Sequence, residues 1–367
     1  MTFFKEGIKC FIKVDICSFS FLNVWNREKV KMFNSINIPS ILHKVVISGH
    51  GYKNLDIESN ELVKARAVVI DAGDATGTPL LKLIKDTDAL IVGYTSIDLN
   101  TIDAMEKCKV IVEYGIGVDN IDLEAACRRK IFVANVPGYG TGEVADQAFA
   151  LLMVLARKIC MLDSLVKTKG WSYARDNSRP MFRLWDKVLG IIGFGRIGEA
   201  FAYRAKAFGF KILVYDPYKN EQNIKEKGFI PSNLERIIRE SDFISLHTPL
   251  TKETENLFGE REFKEMKPNA FLINVARGAI VNEEALFKAL KEKWIGGAAL
   301  DILTIYPPSG NEPLLKYHRE NGNLIIVPHT AWYSEESERE LRTRAAEEVV
   351  RVLSGREPMS WVNKSFN

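Results

Sequence analysis

The stretch LGIIGFGRIG, residues 189–198, decides the fold of this chain. An apolar run ends at Gly193, and Gly193, Gly195 and Gly198 then stand in G-x-G-x-x-G spacing. A helical pattern, RIGEAFAYRAKAF, follows, and the next apolar run, KILVYD, closes on Asp216, eighteen residues after Gly198. The glycine spacing alone is a weak signal. With a strand before it, a helix after it and an acid at the next strand end, it reads as a dinucleotide-binding turn. Gly193 permits the tight turn, Gly195 lets a pyrophosphate approach the backbone, and Gly198 lets helix and strand pack closely. Unsatisfied N–H groups at the helix start receive the phosphate. Asp216 is suited to ribose hydroxyls and repels a 2′-phosphate, which predicts NAD over NADP; Lys219 nearby softens that preference.

Working outward from this turn, strand-like runs alternate with helical ones in both directions. Upstream are KVVIS (44–48), AVVIDA (67–72), ALIVG (89–93), KVIVE (109–113) and IFVANV (131–136). Downstream are FISLH (243–247), AFLINV (270–275), GAALDI (297–302) and LIIVPH (324–329). Short, β-branched, continuously apolar strands separated by helices predict α/β architecture with parallel sheets covered on both faces. The pattern predicts two Rossmann-like lobes, the NAD-binding lobe (142–332) inserted into a flavodoxin-like substrate lobe (43–141 and 333–367). One long helix is expected over 143–167 with Thr141 as N-cap, a connecting loop over 171–187, and a last helix over 335–353 that returns to the first lobe. Residues 1–42 lack any strand or motif and read as an N-terminal extension, with residues 1–31 dispensable and Met32 an alternative start.

Composition narrows the function. Charges nearly cancel (50 basic, 47 acidic, net +3), and no Lys/Arg block forms a nucleic-acid stripe. No run of 18 apolar residues spans a membrane. The five cysteines are scattered, without zinc spacing, which fits reduced thiols in a cytoplasmic protein.

Chemistry gathers at strand ends, where open α/β sheets bind ligands. Arg277 follows a strand in NVARGAIV, and a guanidinium there can grip a carboxylate with two parallel N–H bonds. The loop YGIGVDN (114–120) offers backbone N–H groups at Gly115, Ile116 and Gly117 to the same group. His329, at the end of the last strand, is a candidate proton donor to a carbonyl oxygen.

Together the motifs LGIIGFGRIG, LHTPLT (246–251), INVARG (273–278), GAALD (297–301) and VPHTAWYS (327–334) resemble the D-isomer-specific 2-hydroxyacid dehydrogenase family. The resemblance covers nearly all of 44–354 and leans, in PHTAWYSEES, toward the subgroup of C-terminal binding proteins and phosphoglycerate dehydrogenase-like enzymes. It implies NAD-dependent interconversion of a small-molecule 2-oxo acid and a D-2-hydroxy acid. Arg277 is then the carboxylate anchor, His329 the acid/base, and Trp332 a pocket residue. Arg196, Ile197, His247, Thr248, Pro249, Ala276 and Asp301 join the three glycines and Asp216 around NAD. The resemblance also implies a homodimer, paired partly through the long helix after 141.

Two positions depart from the family pattern. The glutamate that normally holds the catalytic histidine is replaced by Tyr306, which can orient an imidazole but cannot stabilise its charged form. Glu113 stands where relatives often carry arginine. It either turns to solvent or meets a cationic or hydrogen-bond-donating group on the substrate. The departures keep open a second reading, an NAD(H)-binding regulator with little turnover. A phosphorus-acid oxidoreductase of the same fold is disfavoured by the negative charge of Glu113.

Overall fold

A computed structural model describes residues 42–305 and 308–366. The expected N-terminal extension and Tyr306 lie outside the described residues. The chain packs as two compact units, one of residues 42–137 and 339–366 and one of Gly138–Glu338.

The first unit holds a parallel sheet of β1 (His43–Ser48), β2 (Ala67–Gly73), β3 (Ala89–Val92), β4 (Val110–Glu113) and β5 (Phe132–Ala134), in the order β2-β1-β3-β4-β5. Val45, Val46, Ile47, Leu90, Ile91, Ile111 and Val112 are wholly buried. Helices cover both faces of these inner strands, so consecutive residues are apolar rather than alternating. Two connecting helices start on aspartates: Asp98 accepts from the Thr101 N–H and Asp122 from the Ala125 N–H, each satisfying an orphan donor of the first turn.

The second unit has seven parallel strands: β6 (Val188–Ile192), β7 (Lys211–Tyr215), β8 (Ile230–Pro231), β9 (Phe243–Leu246), β10 (Phe271–Asn274), β11 (Gly297–Leu300) and β12 (Leu324–Ile326). Their order is β12-β11-β10-β9-β6-β7-β8. The chain reverses direction across the sheet between β6 and β9, and the glycine turn leaves β6 at that switch point, where such sheets bind ligands. The carboxyl ends of β9, β10 and β12 carry His247-Thr248-Pro249, Ala276-Arg277 and His329.

Three local expectations are corrected. The long helix is two, Thr141–Ala156 and Ile159–Lys169. Lys158, at φ +54°, turns the chain into the left-handed region between them. The N-cap is Gly140 rather than Thr141. A side chain at 140 would come within 3.2 Å of the Trp332 carbonyl, so glycine is favoured there. The segment after 170 is not wholly loop, since Trp171–Asp176 is helical.

The last helix, Glu335–Leu353, falls where expected. Ser334 and Ser337 bind each other's backbone N–H groups at 2.9 and 2.8 Å to start it, and Glu335, Glu336 and Glu338 complement its positive end. The boundary between the units falls inside this helix, after Glu338. No helix of the described residues is long and apolar enough to cross a membrane, and no metal-binding cluster occurs among them.

Candidate active site

In the second unit the turn after β12 is built around a strained residue. His329 has φ +54°, a region that residues with a side chain occupy only when their surroundings hold them there. Asp301, just beyond β11 and 1% exposed, does the holding. Its carbonyl accepts the His329 N–H at 2.6 Å. Its Oδ1 accepts from Thr330 N (3.1 Å) and Ala331 N (3.0 Å), and its Oδ2 from Ala331 N (3.2 Å). Burial nevertheless raises the Asp301 carboxyl to about 6, with the amides pulling the other way.

The turn after β10 is fixed as tightly. Asn274 is wholly buried; its amide donates to the Arg277 carbonyl at 2.8 Å and its Oδ1 accepts from Ala276 N at 3.0 Å. The Arg277 guanidinium donates to the Ala276 carbonyl at 2.9 Å. Behind it, a Cβ on Gly278 would lie 2.2–2.4 Å from the backbone of Leu303 and Thr304. Only glycine therefore lets this turn press against the segment leading from β11. The two turns are close enough to interact: burial first, and then the Arg277 charge, hold the His329 imidazole down to about 4. It is neutral at neutral pH. Trp332 is partly buried, packed edge-on to Tyr139 and Tyr333 and against Gly140.

The glycine turn fits a dinucleotide. Gly193 has φ +89°, and a Cβ there would lie 2.7 Å from the His247 backbone. A Cβ on Gly198 would lie 2.2 Å from the Gly193 carbonyl. A Cβ on Gly195 would meet nothing within 4 Å, so this glycine borders open space at the start of the helix Arg196–Ala207. No side chain caps that helix, which leaves its first N–H groups for an anion. Asp216 is anchored by the Phe194 and Tyr218 N–H groups (2.8 and 2.9 Å) and keeps lone pairs for ribose hydroxyls. Beside the turn, His247 Nδ1 and Thr248 Oγ1 are buried with no partner among the described residues. Burial also pushes the His247 imidazole down to about 3, so it stays neutral against a cofactor.

The description "D-isomer specific 2-hydroxyacid dehydrogenase, NAD binding domain" matches residues 149–331. Glyoxylate reductase of Thermococcus litoralis is 42% identical over 290 residues, covering 78% of this chain and 86% of its own length. Among solved structures, D-lactate dehydrogenase of Aquifex aeolicus, complexed with NAD and lactic acid, superposes with a TM-score of 0.75 at 29% identity over 85% of this chain and 96% of that one. An acyclic imino acid reductase in complex with NADPH and D-Arg gives 0.77 at 29% identity over 87% and 99%.

The chain belongs to the D-isomer-specific 2-hydroxyacid dehydrogenase family.

It is an NAD-dependent D-2-hydroxyacid dehydrogenase. In the first unit of the dehydrogenase, the Gly115–Gly117 loop is oriented through its carbonyls. The Gly115 carbonyl accepts from Val136 N at 2.8 Å and the Ile116 carbonyl from Asn135 Nδ2 at 2.6 Å. A trans peptide carries its C=O and the following N–H on opposite sides. The Ile116 and Gly117 N–H groups therefore point the other way. Glu113 does not turn to solvent: it is 6% exposed and accepts from Asn120 Nδ2 at 3.1 Å. Asn120 also donates to the Gly93 and Thr95 carbonyls, tying the ends of β3 and β4 together. The sequence reading passed over Asn274, Asn120 and the structural task of Asp301. The available signal was a single polar residue closing an otherwise apolar strand, as in FLIN.

Proposed function

We propose that the dehydrogenase reduces a small 2-oxo acid to the D-2-hydroxy acid, with Arg277 as carboxylate anchor and His329 as acid/base. One observation carries this reading: Arg277 and His329 stand on turns at the carboxyl ends of β10 and β12, two strands apart in one parallel sheet, each turn held by a buried polar side chain, Asn274 and Asp301. Bound NADH supplies a hydride to C2 of the substrate. Arg277 binds and orients the carboxylate. In the first unit, the Ile116 and Gly117 N–H groups are proposed donors to an anion. His329 delivers a proton to the C2 oxygen as the carbonyl becomes a hydroxyl. Trp332 borders the substrate, and Arg196, Ile197, His247, Thr248, Pro249 and Ala276 border the cofactor with the glycine turn and Asp216. The Thermococcus litoralis relative makes glyoxylate the first substrate to try.

The deciding assay is NADH oxidation with glyoxylate, pyruvate and hydroxypyruvate. Turnover of at least one, lost by about 10²–10⁴ in His329→Gln, is expected. Unchanged turnover in that variant would remove the histidine from the mechanism.

We also propose a cytoplasmic homodimer. Cys108 and Cys160 are free thiols, and Ile159, Val166, Trp171, Tyr173, Phe182 and Trp185 are 41–74% exposed within one short stretch of chain. Light scattering during gel filtration should give twice the chain mass; a monomer would refute the pairing.

A further inference from the structure

The first unit contains a buried charged assembly that neither the proposed chemistry nor the core requires. Glu58, in the helix Asp56–Leu62, is 0% exposed, and Arg342, in the last helix, is 5% exposed. They form a two-pronged pair: Arg342 Nε to Glu58 Oε1 at 2.7 Å and Arg342 Nη2 to Glu58 Oε2 at 2.8 Å. The same guanidinium donates to the Asn54 carbonyl at 2.6 Å and lies 4.3 Å over the Tyr52 ring. Tyr114 completes the group, its hydroxyl donating to Glu58 Oε1 at 2.8 Å and its ring meeting Tyr52 edge-on at 5.4 Å. Tyr52 is itself held from behind, its N–H donating to His50 Nδ1, while His50 Nε2 contacts Asp71 at 3.0 Å.

A buried ion pair is a poor way to gain stability, because desolvation offsets most of the attraction and well-packed apolar residues do as well. Its value is geometric. Two prongs and a shared oxygen fix the Tyr114 hydroxyl in distance and direction. Tyr114 lies between Glu113 and Gly115, at the root of the loop whose N–H groups are offered to an anion. We propose that the Glu58–Arg342 pair is a positioning device for that loop, acting through the Tyr114 hydroxyl.

Three further observations agree. Val136 and Asn135 tie the loop carbonyls on the β5 side; Tyr114 N–H donates to the Val92 carbonyl on the β3 side at 2.7 Å, and the Tyr114 hydroxyl adds the side-chain restraint to Glu58. Burial, and then the neighbouring Glu58 carboxylate, keep the Tyr114 phenol well above its ordinary range, so it remains a donor at any working pH. Arg342 comes from the last helix, Glu335–Leu353, so a long regular element rather than a loop carries the pair.

The inference rests on the reading of 115–117 as a carboxylate-binding loop. The test is steady-state kinetics of the full-length chain with NADH and glyoxylate. Tyr114→Phe removes one hydroxyl and leaves the ring in place. A displaced loop binds substrate and transition state equally less well, so KM for glyoxylate should rise about tenfold with kcat nearly unchanged. NADH affinity, measured by fluorescence, should not move. Glu58→Met combined with Arg342→Met should recover thermal stability relative to either single change, as apolar replacements of buried pairs do. It should keep the raised KM, because Tyr114 has lost its acceptor. Recovery of both stability and KM in the double variant, or an unchanged KM in Tyr114→Phe, overturns the proposal in favour of a merely structural pair. Arg277→Gln separates the underlying reading: if it too leaves KM unchanged, the carboxylate-binding assignment has failed rather than the positioning one.

Discussion

At the scale of single residues, His329 is held in a conformation and a charge state that serve different ends. Its left-handed backbone, fixed by Asp301, aims the ring; its burial beside Arg277 keeps the ring neutral. A neutral imidazole is a ready base and a poor acid, so the reduction direction is handicapped at pH 7. Below pH 7 the protonated fraction grows about tenfold per pH unit until the pKa of about 4 is reached, so kcat/KM for reduction should climb as pH falls. Binding a carboxylate on Arg277 cancels the neighbouring charge and should raise the imidazole pKa. The profile of kcat, which reports the complex, should then turn over at higher pH than that of kcat/KM; coincident profiles would show that Arg277 does not take the carboxylate. Arg277→Gln should raise the His329 pKa in the free enzyme, readable from the imidazole proton shifts in NMR. Tyr306→Glu should do the same by adding an acceptor for the charged form, and should lift reduction of simple 2-oxo acids at pH 7. A variant no faster than the parent would exclude a direct role for position 306.

At the scale of elements, two glycines separate folding from function. Gly195 has an extended φ of −78° and borders open space, so Gly195→Ala should melt within a degree or two of the parent. The added methyl occupies the approach of the pyrophosphate, and NADH should bind about tenfold more weakly or worse. Gly278→Ala is the opposite case: its methyl would lie 2.2 Å from backbone atoms of Leu303 and Thr304, which have no side-chain freedom to yield. Overpacking there should cost about 1–3 kcal/mol and displace Arg277; thermal melts and glyoxylate kinetics read the two effects. Normal NADH binding by Gly195→Ala would refute the cofactor turn. The sequence exposed the elements well because the runs VVI (45–47) and ALIV (89–92) are apolar at every position, as a doubly covered strand requires. It exposed the glycine turn because three glycines and an acid stand at fixed offsets. It hid the break at Lys158, since a left-handed lysine has no local signature when the apolar pattern runs on through it. It hid Asn274, Asn120 and the Glu58–Arg342 pair for another reason: their partners are 3 to 284 residues away, and only the folded backbone brings the acceptors into reach.

At the scale of the whole molecule, the same buried groups that shape the site set its acid tolerance. His247 and His329 are depressed to about 3 and 4 from an ordinary 6.5, and Asp301 is raised from 3.8 to about 6. A depressed histidine binds its proton in the unfolded chain first, so it contributes stability above about pH 6.5 that is lost as pH falls toward the folded value. A raised aspartate acts in reverse: the folded state holds the extra proton between about 3.8 and 6, and stability is lost as pH rises through that window. Near pH 5 the unfolded chain carries almost two more imidazolium protons, and the folded chain almost one more carboxyl proton. For these three groups alone the balance is about one proton, a slope on the order of 1 kcal/mol of lost stability per unit of acidification, and depressed carboxylates such as Glu312 act in the same direction. Asp301→Asn removes the opposing group, so its slope should steepen toward about 2.5 kcal/mol per unit. His247→Leu removes one of the two imidazoles, and its slope near pH 5 should be shallower than the parent's. Urea unfolding of the three proteins at pH 4.5, 5.0 and 5.5 gives these slopes directly. Parallel slopes would mean that the three groups are solvated in the native state, and the neutral histidine on which the pH dependence of reduction was argued would fall with them.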